Sequence, residues 1–308
     1  MQVIRHLEAS GVRFRSTVAT LGNFDGVHVG HQEILSRVVR QAAERRVQAV
    51  VVTFFPHPTA VLAPARAPVE LGSLADRLAR MREIGIDTVV VQRFTRAFAS
   101  VEASQFIESY LVDRLGAAKV IIGHSVNFGR ARAGNAATLE AAGKRLGFEV
   151  ETVGPVSVDG IAVSSTEVRR HLAAGDVSFA ARLLGRPYAA DGRVVVGDRR
   201  GHTLGFPTAN LRPRREILVP DGVYAVRARW DGEQRSGVAN VGRKPTFGRR
   251  RDRTLEAHLF DFSGDLYGTR LRVELIERLR GEMRFASVEA LVEQIRRDAE
   301  RAREVLKV

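Results

Sequence analysis

The 308-residue chain predicts two dissimilar domains. The first is an α/β domain, a parallel sheet with helices on both faces. The second is a β domain, an antiparallel sheet or barrel with a terminal helix. Three observations carry this. Residues 1–156 alternate short apolar runs with amphipathic ones. Beyond about residue 185, strand-like runs are broken by Asp-Gly and Ser-Gly turn pairs. Residues 287–306 then return to a helical period.

The first strand candidates are 16–23 (STVATLGN), 47–54 (VQAVVVTF), 87–94 (DTVVVQRF), 118–123 (AKVIIG) and 148–154 (FEVETVG). They are rich in Val and Ile and almost continuously apolar, as strands covered on both faces are. Between them lie 31–46, 73–85, 102–116 and 135–147, with apolar residues at three-to-four spacing; three of the four end at or near Gly. Such β-α-β-α alternation favours a parallel sheet, whose sites sit at the carboxyl ends of the strands. In the second half, 192–198, 223–242 and 254–279 read as strands, and Asp231-Gly232 marks a hairpin. Ser287 is placed to N-cap the terminal helix. The domain boundary falls between Gly175 and Pro187.

Composition narrows the function. With 44% apolar and 27% charged residues, the chain reads as an ordinary globular protein. It has no cysteine, which removes disulfides, thiolate nucleophiles and cysteine-bound metals, and which fits a reducing cytoplasm. No signal peptide and no membrane span is visible. The net charge of +13 is nearly all arginine, with lysine only at Lys119, Lys144, Lys244 and Lys307. The arginines spread along the chain, densest at 247–253 (FGRRRDR), where a solvated loop is the plain reading. With 6% aromatics and no basic face interleaved with rings, nucleic acid is not an expected partner.

The stretch 21–31, LGNFDGVHVGH, places two of the eight histidines, His28 and His31, at a strand-to-helix turn. Gly22, Gly26 and Gly30 allow close backbone approach. The free N–H groups of a helix beginning there suit a phosphate, and imidazole N–H groups can donate to phosphate oxygens as charge builds. The same histidines with Asp25 could instead ligate Zn, although no further ligand clusters with them. Farther along, Ser164, Ser165 and Thr166 offer hydroxyls at a helix start, and Arg169 adds a charged fork. In 185–211, Thr208 and Asn210 bring hard oxygen ligands suited to Mg²⁺ with phosphate, near His202, Gly201 and Gly205.

GNFDGVHVGH resembles the HxGH signature of the nucleotidyltransferase superfamily. Within it, the stretch resembles the N-terminal module of the bacterial bifunctional riboflavin kinase/FMN adenylyltransferases, the FAD synthetases. TFFPHP (53–58), FTRAFASVEASQFI (94–107) and SSTEVRRHL (164–172) follow in that family's order. GFPTAN (205–210) resembles the riboflavin kinase signature, and the likeness continues through VPDGVYAV, GVANVGRKPTFG and TLEAHLFDFSGDLYG. One departure stands in GHSVNFG (123–129), where Ser125 replaces the usual Asp or Asn. Asn127 would point the same way if that segment were extended.

The resemblance implies a Rossmann-like nucleotidyltransferase domain over 1–184 and a riboflavin kinase barrel over 185–308. It implies riboflavin, FMN and ATP as ligands, Mg²⁺ as cofactor, FMN and FAD as products, and no nucleic acid or membrane. A monomer or weak homo-oligomer is expected. For adenylyl transfer, ATP would meet Gly22, Asn23, Phe24, Asp25, Gly26, His28, His31, Ser164, Ser165, Thr166 and Arg169. The flavin would meet Phe54, Pro56, His57 and Phe128. For the kinase, ATP would meet Gly201, His202, Gly205, Pro207, Thr208 and Asn210, with metal at Thr208 and Asn210. Glu256 would be the general base, facing the barrel mouth, and Arg284 and Phe285 would cover the flavin. The alternative is a chain that is a riboflavin kinase only, its first site weakened or redirected by Ser125.

Overall fold

The computed structural model describes residues 1–197, 205–243 and 253–308. Contacts divide the chain into two compact units, Met1–Ser165 and Thr166–Val308.

In chain order the first unit holds β1 (Gln2–Arg5), β2 (Thr17–Leu21), α1 (Val29–Arg45), β3 (Gln48–Phe55), α2 (Pro58–Leu62), α3 (Leu74–Ile84) and β4 (Thr88–Arg93). It continues with α4 (Arg96–Ala99), α5 (Ala103–Phe106), β5 (Ala117–Gly123), α6 (Ala136–Leu146), β6 (Glu149–Val153) and a ribbon of β7 (Ser157–Val158) with β8 (Ile161–Ala162). The main sheet runs β1-β4-β3-β2-β5-β6, every pair parallel. Successive residues of a strand serve opposite cores. Val18, Val51, Val89 and Ile121 pack with α1 and α3 residues such as Leu35, Val38 and Met81. Ala19, Val52, Val90 and Ile122 pack with Phe106, Leu111 and Leu139 on the other face.

The expected elements are present, and β1, the short helices α2 and α4 and the β7–β8 ribbon are added to them. β1 was not expected: it is a four-residue edge strand in which only Ile4 is buried, so it carries no apolar run. The helix expected over 102–116 changes its winding after α5, continuing as a π-helix over Ile107–Val112.

The second unit takes in most of α7 (Ser165–Ala174), then α8 (Val177–Leu184), β9 (Tyr188–Val195), β10 (Ala209–Pro213), β11 (Gly222–Trp230), β12 (Glu233–Arg243), β13 (Arg253–Leu259), β14 (Arg270–Arg280) and α9 (Val288–Leu306). Its strands form a closed antiparallel barrel, β10-β13-β12-β11-β14-β9. The β11–β12 hairpin turns at Asp231 (φ 42°) and Gly232 (φ 87°), the paired positive φ values of a tight primed turn. Tyr224, Val226, Ala239, Val241, Leu255 and Ala257 fill the interior. Val223, Ala225, Val238 and Phe260 on the outside take Ala302 and Leu306 of α9, whose first turn is capped by Ser287. α8 packs on β9 and β14, so contacts group it with the barrel. The change in sequence pattern comes later, near residue 185.

Candidate active sites

The first site lies where β2 ends. The Gly22 N–H donates to the Val52 carbonyl at 3.0 Å, and the chain then turns through Phe24 (φ 50°), Gly26 (φ 76°) and Val27 (φ 42°). Glycine takes this region freely, whereas Phe and especially Val are strained in it. Burial and hydrogen bonds hold the turn. Phe24 and Val27 are core residues. The buried Asp25 carboxylate accepts the Leu71 N–H at 3.0 Å, Gln32 donates to the Val27 carbonyl at 2.8 Å, and the Ser165 hydroxyl donates to the Asp25 carbonyl at 3.1 Å.

His28 caps α1, its Nδ1 accepting the His31 N–H at 3.3 Å, so its neutral ring carries the proton on Nε2. The His28 and His31 rings stack with centroids 3.6 Å apart, and Phe24 meets His31 edge-on at 5.2 Å. The His31 Nδ1 is shielded from solvent and has no hydrogen-bond partner among the described residues. A proton there would be buried without an acceptor, which again favours Nε2. Burial first, then the neighbouring His28 and Arg77, push His31 well below the ordinary histidine range. The loop therefore presents two stacked imidazoles at the N-terminus of a 17-residue helix, whose positive dipole end suits phosphate. It does not assemble a metal site. Asp25 and the His28 Nδ1 are engaged by backbone, and among the described residues no three His, Cys, Asp or Glu side chains gather to hold an ion.

β3 delivers the second edge of this site. The Thr53 hydroxyl donates to the Asn23 carbonyl at 3.2 Å, and the His57 Nε2 lies 3.4 Å from the Asn23 side-chain amide. Pro56 is exposed, and Phe54 is half-buried. Phe54, Phe94 and Phe98 form a triangle of rings with centroids 5.8–5.9 Å apart. Phe94 and Phe98 were not among the residues expected to meet the flavin, although they stand in the 94–107 segment. Phe128 was expected to meet it, but is only 7% exposed and sits in the core, 5.6 Å from Phe106.

Ser164 precedes α7, and Thr166 and Arg169 follow within that helix, in the second unit. Ser125 is exposed. Asn127 does not extend alongside it: the segment turns, with the Val126 N–H on the Gly123 carbonyl, and the Asn127 amide donates to the Ser125 carbonyl at 2.9 Å.

The second site is a row across three strands. Asn210 of β10 stands directly opposite Glu256 of β13, and Glu256 stands opposite Asn240 of β12. Alternation along the strands puts this row on the barrel's outer face, because the flanking Leu211, Leu255, Ala257, Ala239 and Val241 are fully buried inside. Glu256 is thus on the outer face of the wall. The Asn210 Oδ1 is shielded and lacks a hydrogen-bond partner among the described residues, and a Cβ on Gly197 would fall 2.3 Å from this side chain. The segment before β10, with Gly205, Pro207 and Thr208, is fastened to β13 where the His258 Nδ1 donates to the Pro207 carbonyl at 2.9 Å. Asn240 was missed in the sequence because only strand pairing brings it to Glu256.

The loop carrying the exposed Arg284 and the half-buried Phe285 passes β12. A Cβ on Gly242 would lie 2.8 Å from a Glu282 carboxylate oxygen and 3.3 Å from the Asn240 amide nitrogen. Gly201 and His202 lie outside the described residues, as does most of the 247–253 run. Arg253, at its end, is tied to Asp221 and to the Ile217 carbonyl.

Residues 12–167 match the FAD synthetase family, and residues 184–306 match the riboflavin kinase family. The chain is 43% identical to the bifunctional riboflavin kinase/FMN adenylyltransferase of Pseudomonas fluorescens, over 98% of this chain and 97% of that protein. It is 40% identical to the protein of that name from Haemophilus influenzae, over 98% of each. A crystal structure titled as a macrolide-efflux protein from Streptococcus pneumoniae superposes with a TM-score of 0.88 at 30% identity, covering 98% of this chain and 99% of that one. Among the described residues, no helix of this chain is long and apolar enough to cross a membrane. On this evidence the chain belongs to the bifunctional riboflavin kinase/FMN adenylyltransferase family.

Proposed function

We infer that the chain makes FAD in two ATP-consuming steps, one in each part. One observation carries the reading: the two built sites, the His28–His31 turn and the Asn210–Glu256 row, fall within the matches to FAD synthetase and riboflavin kinase respectively. In the first step the riboflavin 5′-hydroxyl attacks the γ-phosphorus of ATP. Glu256 accepts the hydroxyl proton, and ADP leaves. Thr208 and Asn210 would hold Mg²⁺, which neutralises phosphate charge when bound; the shielded, unpartnered Asn210 Oδ1 is a hard oxygen of the type that ion takes. Arg284 and Phe285 would cover the flavin.

In the second step an FMN phosphate oxygen attacks the α-phosphorus of another ATP, and pyrophosphate leaves. The Nε2–H groups of His28 and His31 donate to the α-phosphoryl oxygens as their charge grows. The α1 N-terminus, with Ser164 and Ser165, holds the departing phosphates. Phe54, with Phe94 and Phe98 beside it, offers the flavin an aromatic edge near Pro56 and His57. We place the adenylylating domain at 1–184 and the kinase at 185–308, in a cytoplasmic monomer or weak homo-oligomer that needs neither nucleic acid nor membrane.

The test is a time course with riboflavin, ATP and Mg²⁺, the flavins separated by chromatography. FMN should rise and then give way to FAD. Accumulation of FMN without FAD would leave the kinase alone standing and point to Ser125. No phosphorylated flavin at all would overturn the reading.

A further inference from the structure

Arg77 of α3 is a buried cation that the two steps above do not use. Only 3% of it is exposed. Its Nη1 donates to the Thr53 hydroxyl at 3.2 Å and to the Phe54 carbonyl at 3.3 Å, and its Nη2 donates to Glu70 at 3.2 Å. Thr53 passes the connection on to the Asn23 carbonyl, and the residue after Glu70 donates its N–H to Asp25. One guanidinium therefore fastens the end of β3, where Phe54 lies, to both sides of the histidine turn. Burying a permanent charge is expensive even with the Glu70 and Asp25 carboxylates facing it, and its removal would leave Thr53, the Phe54 carbonyl and Glu70 without this donor. A fold that needed only packing here would place a leucine, as α3 does at the neighbouring Leu74 and Leu78. The charge has a use where a polyphosphate docks: a cation beneath the site, held out of water, is weakly screened.

We propose that Arg77 is a positioning residue for adenylyl transfer, locking the ATP-side turn and the flavin-side strand end into one rigid floor. This rests on the reading of the first site given above. The charged and titratable groups around His31 are His28 on its own turn, Arg77 from α3, and Asp25 and Glu70, which face Arg77. Arg77 opposes protonation of His31, so the two kinds of variant should shift the pH dependence in opposite senses.

The experiment follows FAD formation from FMN and ATP across pH, with riboflavin phosphorylation by the same samples as the internal control for folding. Arg77→Met should lower kcat on the order of 10²-fold, the cost of a misplaced reacting group. It should also move the acid limb of the profile to higher pH. Arg77→Lys, which keeps the charge but loses the fork, should restore the limb without restoring kcat. Glu70→Gln removes the offsetting charge and should move the limb to lower pH; it carries the test if Arg77→Met does not fold. Unchanged kcat and profile in Arg77→Met, or an unmoved limb in Glu70→Gln, would overturn the proposal. A wild-type chain that makes FMN but no FAD would overturn the reading beneath it, and the proposal with it.

Discussion

Asn210 and Glu256 face each other across β10 and β13, and this register places an amide oxygen next to a carboxylate on the barrel wall. Asn240 completes the row on the far side of Glu256. Directly opposite residues on a sheet face have their Cβ atoms about 5 Å apart, close enough for one polar group to orient the next.

Glu256→Gln should slow riboflavin phosphorylation by about 10²- to 10⁴-fold, the usual worth of a positioned base. FAD formation from supplied FMN should be unchanged. Separate initial-rate assays on one preparation decide this, and equal loss of both steps would reject the assignment. Asn240→Ala should lower the kinase kcat by a smaller factor and spare the second reaction.

Gly197→Ala should damage the kinase site by crowding. The added Cβ would fall 2.3 Å from the Asn210 side chain, so that side chain must move. Overpacking of this kind costs about 1–3 kcal/mol. Chemical denaturation should report that loss, and the kinase assay should fall further than stability alone explains.

His31 gives a pH dependence of stability whose sign is fixed. Its pKa in the folded chain lies below the unfolded value of about 6.5. Between the two values the unfolded chain binds more protons, so His31 supports folding above the unfolded value and loses that support as pH falls. Calorimetry should show the first unit losing stability on acidification below about pH 6.5, with a shallower slope in His31→Gln.

The helix that carries Arg77 begins with a reciprocal cap. The Ser73 hydroxyl accepts the Asp76 N–H at 3.0 Å, and the Asp76 carboxylate accepts the Ser73 N–H at 2.8 Å. Ser73→Ala should therefore cost about 1 kcal/mol of stability, measurable by urea titration.

Legibility followed distance along the chain. The central strands were readable because both of their faces are buried, which leaves an unbroken Val and Ile signature. The histidine turn was readable because His28 and His31 are neighbours in sequence. Asn240 was not, since only the β12–β13 register brings it to Glu256. Phe94 and Phe98 lie within a local motif but are joined to Phe54 only by the parallel pairing of β3 and β4. Arg77 left a local trace: it stands four residues before the buried Met81, on the face of α3 that turns inward. A charge on an apolar stripe is a signal that periodicity can find.

β13 has hydrogen-bonded neighbours on both sides, β10 and β12, in a barrel with no free edge among its described strands. A slip of one residue would turn Glu256 inward and Leu255 out, so no partial rearrangement of this wall is cheap. Its amide hydrogens should exchange with solvent only through wholesale opening of the barrel, among the slowest in the chain. The carboxylate proposed to take the proton from riboflavin thus stands on a strand that is held from both sides, so its position relative to Asn210 and Asn240 is kept by the barrel itself.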